Sequence, residues 1–382
     1  MNQKAREILA AIGAETILPE TVVDRLSFEE RKLIEVARAL LDAPDLLIVD
    51  ETTTALSMEG RNTIYQIIEK MKKENKTVIF ISHDLEEVVR ICDSASVLRD
   101  GKFIKTIHKE EMTPDYLRTL MIGRELDGHY YMGDRKRQDE NDIVLKASGI
   151  TWGNKLKEVS IELRRGEILG LGGLTECGMH ELCKVIFGAI RPDSGSVEVI
   201  CDGSAKKIHS CSDAINNKVA YLPKDRDAES LFTAASIQDN MTVTASEQVK
   251  KGIYLSPKKE EALAKEYVQS LSIKCSSEKQ YVNELSGGNK QKVVVGKWLA
   301  NHSEILIMDC PTRGIDVGVK KAIYHLMEKL TSEGKSIIMV SEEMPELIGM
   351  SDRIIVLKNG EVTGNFLRSQ KVTENVLVSC II

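Results

Sequence analysis

The sequence predicts an α/β fold in two tandem copies, the first partial and the second complete. Three observations carry this. Landmarks repeat at one offset: Leu26-Ser27 matches Leu285-Ser286, Asp50 matches Asp309, Ser82 matches Ser341, Asp93 matches Asp352 and Gly101 matches Gly360, each pair 259 residues apart (309 − 50 = 259). In both copies short apolar runs ending in acid alternate with amphipathic stretches, the pattern of a parallel sheet covered by helices. A glycine loop from Gly173 to His180 opens the second copy, and its counterpart at the same offset falls before Met1 (173 − 259 = −86). The first copy is therefore expected to lack that loop.

Each element follows from its residues. Glu29 to Leu41 carries Leu33, Val36, Ala37 and Leu40 at helical spacing, and Ala43-Pro44 stops it. Leu46-Leu47-Ile48-Val49 is a continuous apolar run, which suits a strand buried on both faces with Asp50 at its carboxyl end. Asn62 to Lys72 reads as an amphipathic helix, Thr77 to Ile81 as a second buried strand and Leu85 onward as another helix, followed by a short hairpin. Residues 127 to 141 are polar and unpatterned, so the chain divides into a first unit at 1–126, a linker at 127–142 and a second unit at 143–382. The second unit has strands, the glycine loop, a helix and a helical insertion near 257 to 272 before the repeated half.

Composition narrows the class. At 382 residues the chain holds two full-sized cores, and 42% hydrophobic with 29% charged residues describes a globular protein. No apolar run is long enough to span a bilayer and Met1-Asn2-Gln3-Lys4 opens no signal peptide, so the protein is expected in the cytoplasm. A net charge of −6 with both signs interspersed gives no broad attraction for nucleic acid, and Arg135-Lys136-Arg137 sits among acids as a solvated linker. The eight cysteines form no Cys-x-x-Cys pair, which argues against a zinc or redox motif and for reduced thiols.

The chemistry sits at the repeated landmarks. Leu285-Ser286-Gly287-Gly288-Asn289-Lys290-Gln291 opens a helix, and Leu306-Ile307-Met308-Asp309 follows as a strand ending in acid. Two glycines after Ser286 let backbone N–H groups and a helix N-terminus approach phosphate. This spaced pair resembles the signature motif and Walker B strand of ABC-type ATPases, a branch of the P-loop NTPase fold. The resemblance implies ATP and Mg²⁺ as cofactors. It makes Asp50 and Asp309 metal-organising residues, Glu51 the residue that polarises water, His83 the contact to the γ-phosphate, and Ser286, Gly287, Gly288 and Asn289 the nucleotide-facing signature. Met121 to Leu126, Gly166 to Gly170, Tyr221 to Arg226 and Pro311 to Gly318 are similar to the fused double ATPases of bacterial ribose, galactose and xylose importers. That implies permease subunits as partners, indirectly an extracellular or periplasmic sugar-binding protein, and a position at the inner face of the cell membrane.

In this family two copies share each nucleotide, one giving the P-loop and Walker B, the other the signature. One site then uses Asp50, Glu51 and His83 with Ser286-Gly287-Gly288, all present; the other has lost most of its parts. A working P-loop reads G-x-x-x-x-G-K-[ST]. Here Gly173 and Gly178 are kept, but Met179 stands in the lysine position and His180 in the hydroxyl position. Glu176 adds a carboxylate beside the phosphate path, Cys310 replaces the glutamate expected after Asp309, Glu342 stands in the histidine position, and Phe28-Glu29 replaces the first signature's glycines. This second site is expected not to hydrolyse ATP.

The leading expectation is an importer ATP-binding subunit, incomplete and not hydrolytic alone, whose competent site takes its P-loop from another chain or from a segment encoded upstream. The alternative is a nonhydrolytic pseudo-ATPase scaffold or regulator, or a truncated gene product. A double ABC protein of translation or DNA repair is disfavoured by the lack of a basic segment or long insertion.

Overall fold

The structure is a computed structural model of the chain; it describes all residues except Met1, Glu51, 54–55, His83, 100–101, 123–130, 132–141, Thr175, Asp202, Asp316, Lys371 and Ile382. The chain separates into two compact units, Met1–Leu126 and Asp127–Ile382. Among the described residues no helix is long and apolar enough to cross a membrane.

The first unit runs α1 (Asn2–Ala11), α2 (Phe28–Leu40), β1 (Leu46–Asp50), α3 (Met58–Lys73), β2 (Thr77–Ile81), α4 (Leu85–Ile91), β3 (Ser94–Arg99), β4 (Lys102–His108) and α5 (Pro114–Ile122). Ser27 starts α2 with a capping box: its Oγ accepts from the Glu30 N–H, and its own N–H donates to Glu30. β1 and β2 pair in parallel, Leu46 with Thr77 through Asp50 with Ile81, while β3 and β4 form an antiparallel hairpin. Leu47 and Val49 point into a core with Val36, Ile64, Ile68 and Met71. The expectations that β1 is buried on both faces and that β2 is a second buried strand are not met. Leu46, Ile48, Ile79 and Ile81 are 48%, 59%, 46% and 46% exposed, because helices pack against one face of this two-stranded sheet and the other face is open.

The second unit is larger. It begins with β5 (Ile143–Trp152), β6 (Leu156–Arg164), β7 (Ile168–Gly173), α6 (Met179–Ile186), β8 (Ser194–Cys201), β9 (Ser204–Lys207), α7 (Cys211–Asn216), β10 (Val219–Leu222) and α8 (Arg226–Glu229). α9 (Ile237–Thr242), α10 (Ser246–Val249), the ribbon β11 (Lys250–Lys251) and β12 (Tyr254–Leu255), and α11 (Pro257–Ser270) form the insertion. The repeated half follows as α12 (Gly287–Ala300), β13 (Ile305–Asp309), α13 (Val317–Ser332), β14 (Ser336–Val340), α14 (Met344–Met350), β15 (Arg353–Lys358), β16 (Glu361–Leu367) and α15 (Glu374–Ile381).

Its central sheet has the order β10-β13-β14-β7-β15-β16, parallel except for β16 at the edge. A second, antiparallel sheet has the order β6-β5-β8-β9. Every residue of β13 and β14 is buried, so the continuous apolar runs behave here as the sequence predicts. Under β7, Arg353 makes a two-pronged ion pair with fully buried Glu167, Nε to Oε1 at 2.8 Å and Nη2 to Oε2 at 3.2 Å. Five parallel strands, β10, β13, β14, β7 and β15, end at one edge, where open α/β sheets bind ligands.

Candidate functional site

At that edge the glycine loop joins β7 to α6. Gly178 precedes α6 with φ of 99°, and a Cβ there would lie 2.3 Å from the Lys155 carbonyl oxygen, so glycine is required twice over. Gly173 is equally constrained, since a Cβ would meet the Leu357 carbonyl at 2.4 Å. Met179 is wholly buried and packs in the core with Leu182 and Ile186. The loop thus keeps its backbone path while its lysine position carries an apolar core side chain. Glu176 is turned to Lys155, with which it forms an exposed ion pair that neutralises the carboxylate expected beside the phosphate path.

His180, the second residue of α6, reaches across to the end of β13. Its Nδ1 lies 2.7 Å from Asp309 Oδ1, and the Tyr221 hydroxyl donates to Asp309 Oδ2 at 3.3 Å. On the other ring edge, Nε2 is 3.6 Å from Glu342 Oε1 and 3.4 Å from Lys224 Nζ. Lys224 itself donates to Glu342 Oε1 at 2.6 Å. Burial pushes the His180 pKa down, but Asp309 and Glu342 outweigh it and hold it up at about 9. Glu342 is pulled down to about 2 by His180 and Lys224; at 3.6 Å the histidine acts as an ion-pair partner, and the lysine makes the short hydrogen bond. Near neutral pH the cluster is two cations facing two carboxylates.

Cys310 follows directly. It is buried, sits in the left-handed region at φ of 50°, and its N–H donates to the Val340 carbonyl at 3.1 Å. Burial first, then the charges of Asp309 and Glu342, push its thiol well above the ordinary range. Magnesium nucleotide asks for a phosphate-binding lysine, a hydroxyl and a free carboxylate. The second unit offers buried Met179, a histidine, and an Asp309 whose two oxygens are already engaged, so these side chains do not fit that group.

The signature segment is built separately. Ser286 precedes α12, Asn289 Nδ2 donates to Ser286 Oγ at 2.9 Å, and Asn289 Oδ1 accepts from the Lys274 N–H. Arg226 lies over the start of this helix, donating to the carbonyls of Arg313 and Gly314; a Cβ at Gly287 would approach its guanidinium to 2.9 Å. Gly288 lies under Val319, 2.6 Å from where a Cβ would be. None of the hydrogen bonds of Ser286 or Asn289 runs to His180 or Asp309.

In the first unit Asp50 ends β1 and its carbonyl accepts from the Thr52 hydroxyl. Glu51 and His83 lie outside the described residues. Glu29 accepts from the Ser57 hydroxyl at 2.5 Å, so the residue in the first signature's glycine position braces the start of α3.

One constellation escaped the sequence reading. Glu87 is buried and accepts from Thr53, Tyr65 and Ser82 at 2.6, 2.6 and 3.2 Å. Glu346 is buried and accepts from Thr312, Tyr324 and Ser341 at 2.6, 2.8 and 2.5 Å. All four pairs stand at the repeat offset (346 − 87 = 259), so the repeat itself could have found them. Each network ties the loop after the acid-ending strand to the helix after the next strand.

Comparisons with known proteins bear on the family and the fold. The sequence family described as "ABC transporter" matches residues 156–313. The ribose import ATP-binding protein of Clostridium perfringens is 38% identical over 378 residues, covering 99% of this chain and 74% of that protein. A putative ribose/galactose/methyl galactoside import ATP-binding protein of Geobacillus kaustophilus is 37% identical, covering 98% and 73%. This chain belongs to the ABC transporter ATP-binding family. A dimeric ATP-binding cassette in a post-hydrolysis state with ADP and phosphate superposes with a TM-score of 0.51 at 22% identity, covering 59% of this chain and 98% of that one. A nucleotide-free cassette from an ABC transporter gives 0.51 at 18%, covering 63% and 99%. These structures bear on the fold, which is the α/β P-loop NTPase fold of ABC ATPases.

Proposed function

We propose that the chain is an ATP-binding subunit of a monosaccharide importer, with two tandem cassettes of unequal chemistry. In this reading Asp50 organises Mg²⁺, Glu51 orients the attacking water, His83 contacts the γ-phosphate, and Ser286, Gly287, Gly288 and Asn289 are the nucleotide-facing signature. The observation that carries the asymmetry is the His180–Asp309–Glu342–Lys224 cluster, which fills the second cassette's phosphate and metal positions with its own cations. The sugar-import role rests on the relatives named for ribose and galactoside import. It brings permease subunits and, through them, a sugar-binding protein as partners, at the inner face of the membrane.

The first cassette's P-loop is proposed to come from outside residues 1–382. Its support is the open face of β1 and β2: Ile305, Ile307, Ile338 and Val340, the residues 259 positions on from Leu46, Ile48, Ile79 and Ile81, are at most 3% exposed in the second unit's core, where α6, the helix after the glycine loop, packs on β13 and β6 and α13 pack on β14. A strand, glycine loop and helix of the same kind would cover the first unit's face. ATP turnover measured on the purified chain tests this. Little hydrolysis is expected alone, with activity appearing when a cassette fragment bearing an intact P-loop is added and vanishing again in Glu51→Gln. Robust turnover by residues 1–382 alone overturns it. A nonhydrolytic scaffold is the second reading, favoured by the same self-filled cluster.

A further inference from the structure

We propose that His180, Asp309 and Cys310 form a binding site for a thiophilic divalent cation of the zinc type, in the place where an ABC cassette would hold magnesium. The inference goes beyond the transport reading and does not depend on whether the first cassette hydrolyses ATP. One donor atom from each residue lies within 4.8 Å of the other two, one residue half-buried and two buried. The three come from two segments, the start of α6 and the end of β13, converging at the carboxyl edge of the sheet. A Cys-x-x-Cys motif would not register such a site, because spacing along the chain cannot bring out donors 129 residues apart.

The donor set decides the metal. Magnesium takes oxygen ligands in octahedral geometry and keeps its waters, whereas imidazole nitrogen, carboxylate oxygen and thiolate sulfur together suit zinc in a tetrahedral site. His180 puts a softer nitrogen in the position where the hydroxyl would meet magnesium, and Cys310, in the position of the water-polarising glutamate, adds a sulfur beside Asp309. The surroundings are those of a ligated centre. A metal-bound histidine ordinarily gives its other ring N–H to a carboxylate; Glu342, 3.6 Å from His180 Nε2 and within reach of such a bond after a small shift, is the carboxylate on that side, with Lys224 Nζ 3.4 Å from the same nitrogen, while Asp309 Oδ1 faces Nδ1. Tyr221 holds the second oxygen of Asp309. The left-handed backbone at Cys310, rare for a residue with a side chain, is held by its bond to Val340 and fixes the direction of the thiol.

Binding draws in the thiol, since donors lying within 4.8 Å of one another must come to about 3.3 to 3.6 Å around a tetrahedral zinc. Nitrogen and oxygen ligands of a tetrahedral zinc sit about 3.3 Å apart, so the 2.7 Å gap between His180 and Asp309 opens slightly as the metal replaces the proton they share. The Cys310 thiol gives its proton to solvent and binds as thiolate, the local charge logic inverting once a dication is present. Lys224 stays on Glu342, outside the donor trio.

The test is cobalt(II) titration of the full chain, followed by optical spectroscopy. Expected are tetrahedral visible bands with a thiolate-to-cobalt charge-transfer band in the near ultraviolet, displaced by zinc and unmoved by excess magnesium. Cys310→Ser should lose the charge-transfer band while its far-ultraviolet circular dichroism stays wild-type. Glu342→Gln, which leaves all three donors, should keep the band and weaken zinc affinity by about 10- to 100-fold. Absence of a thiolate band, or a band that survives in Cys310→Ser and so belongs to one of the other seven cysteines, overturns the proposal. Should Cys310→Ser fail to fold, His180→Ala with Glu342→Gln decides it: unchanged zinc affinity in both refutes the site.

Discussion

At the scale of single residues, Lys297 shows how burial alone moves a charge. Its ammonium is buried, donates to the Ser230 carbonyl at 2.6 Å and hydroxyl at 3.1 Å, and lies 5.2 Å from the Trp298 ring centre. Those partners are neutral, and desolvation lowers its pKa to about 8. The folded state therefore binds fewer protons than the unfolded one between pH 8 and the ordinary value of 10.5. Below pH 8 the cost of holding the charge is fully present, and it is relieved as pH rises through that window. Stability to urea should climb across pH 8 to 10.5, by an amount on the order of 3 kcal/mol from this group. Lys297→Met should flatten that part of the profile, and a slope that persists in the variant would locate its source elsewhere. Nothing in the sequence marks Lys297, since a lysine in a helix reads as solvated until the neighbours that cover it are known. The reverse holds for Asp309 and Cys310, whose place at the end of an apolar run was legible, whereas the pairing of His180 with Asp309 depends on two segments meeting in space.

At the scale of elements, β1 and β13 are the same strand in two settings. Both were legible as apolar runs ending in acid, and both formed within a residue of the expected bounds. Their burial was not, because burial belongs to the neighbours. β13 lies between β10 and β14 and is closed on both faces, while β1 has β2 as its strand partner and helices on one face. The same change, Ile to Ala, should therefore have very different effects at equivalent positions. Ile307→Ala leaves a cavity in a close-packed sheet and should cost about 2 to 5 kcal/mol in denaturant unfolding. Ile48→Ala removes a side chain that is 59% exposed and should change stability by about 0.5 kcal/mol or less. A large loss at Ile48 would mean that the face is covered in solution, by self-association, and would make the midpoint depend on protein concentration.

At the scale of the whole molecule, the two units carry the same buried-glutamate network on cores of different extent, which separates what the repeat encodes from what stabilises it. Glu87 and Glu346 each gather a threonine, a tyrosine and a serine, so these hydrogen bonds are equal, with Arg61 3.5 Å from Glu87 as an addition in the first unit. The frame around it differs: a six-stranded sheet flanked by a four-stranded one in the second unit, two separate two-stranded sheets in the first. Opening free energy follows buried apolar contacts and the number of closed strand edges rather than the wiring alone. In the first unit β1 and β2 pair with each other, leaving one outer edge of each without a strand partner among the described residues. Amide hydrogen exchange followed by mass spectrometry should then show residues 46–50 and 77–81 exchanging orders of magnitude faster than residues 305–309 and 336–340, their equivalents. Adding a fragment that supplies a strand, intact P-loop and helix should slow the first set and leave the second unchanged. Equal protection in the chain alone would mean that the open face is already occupied, and would remove the structural support for a P-loop arriving from outside residues 1–382.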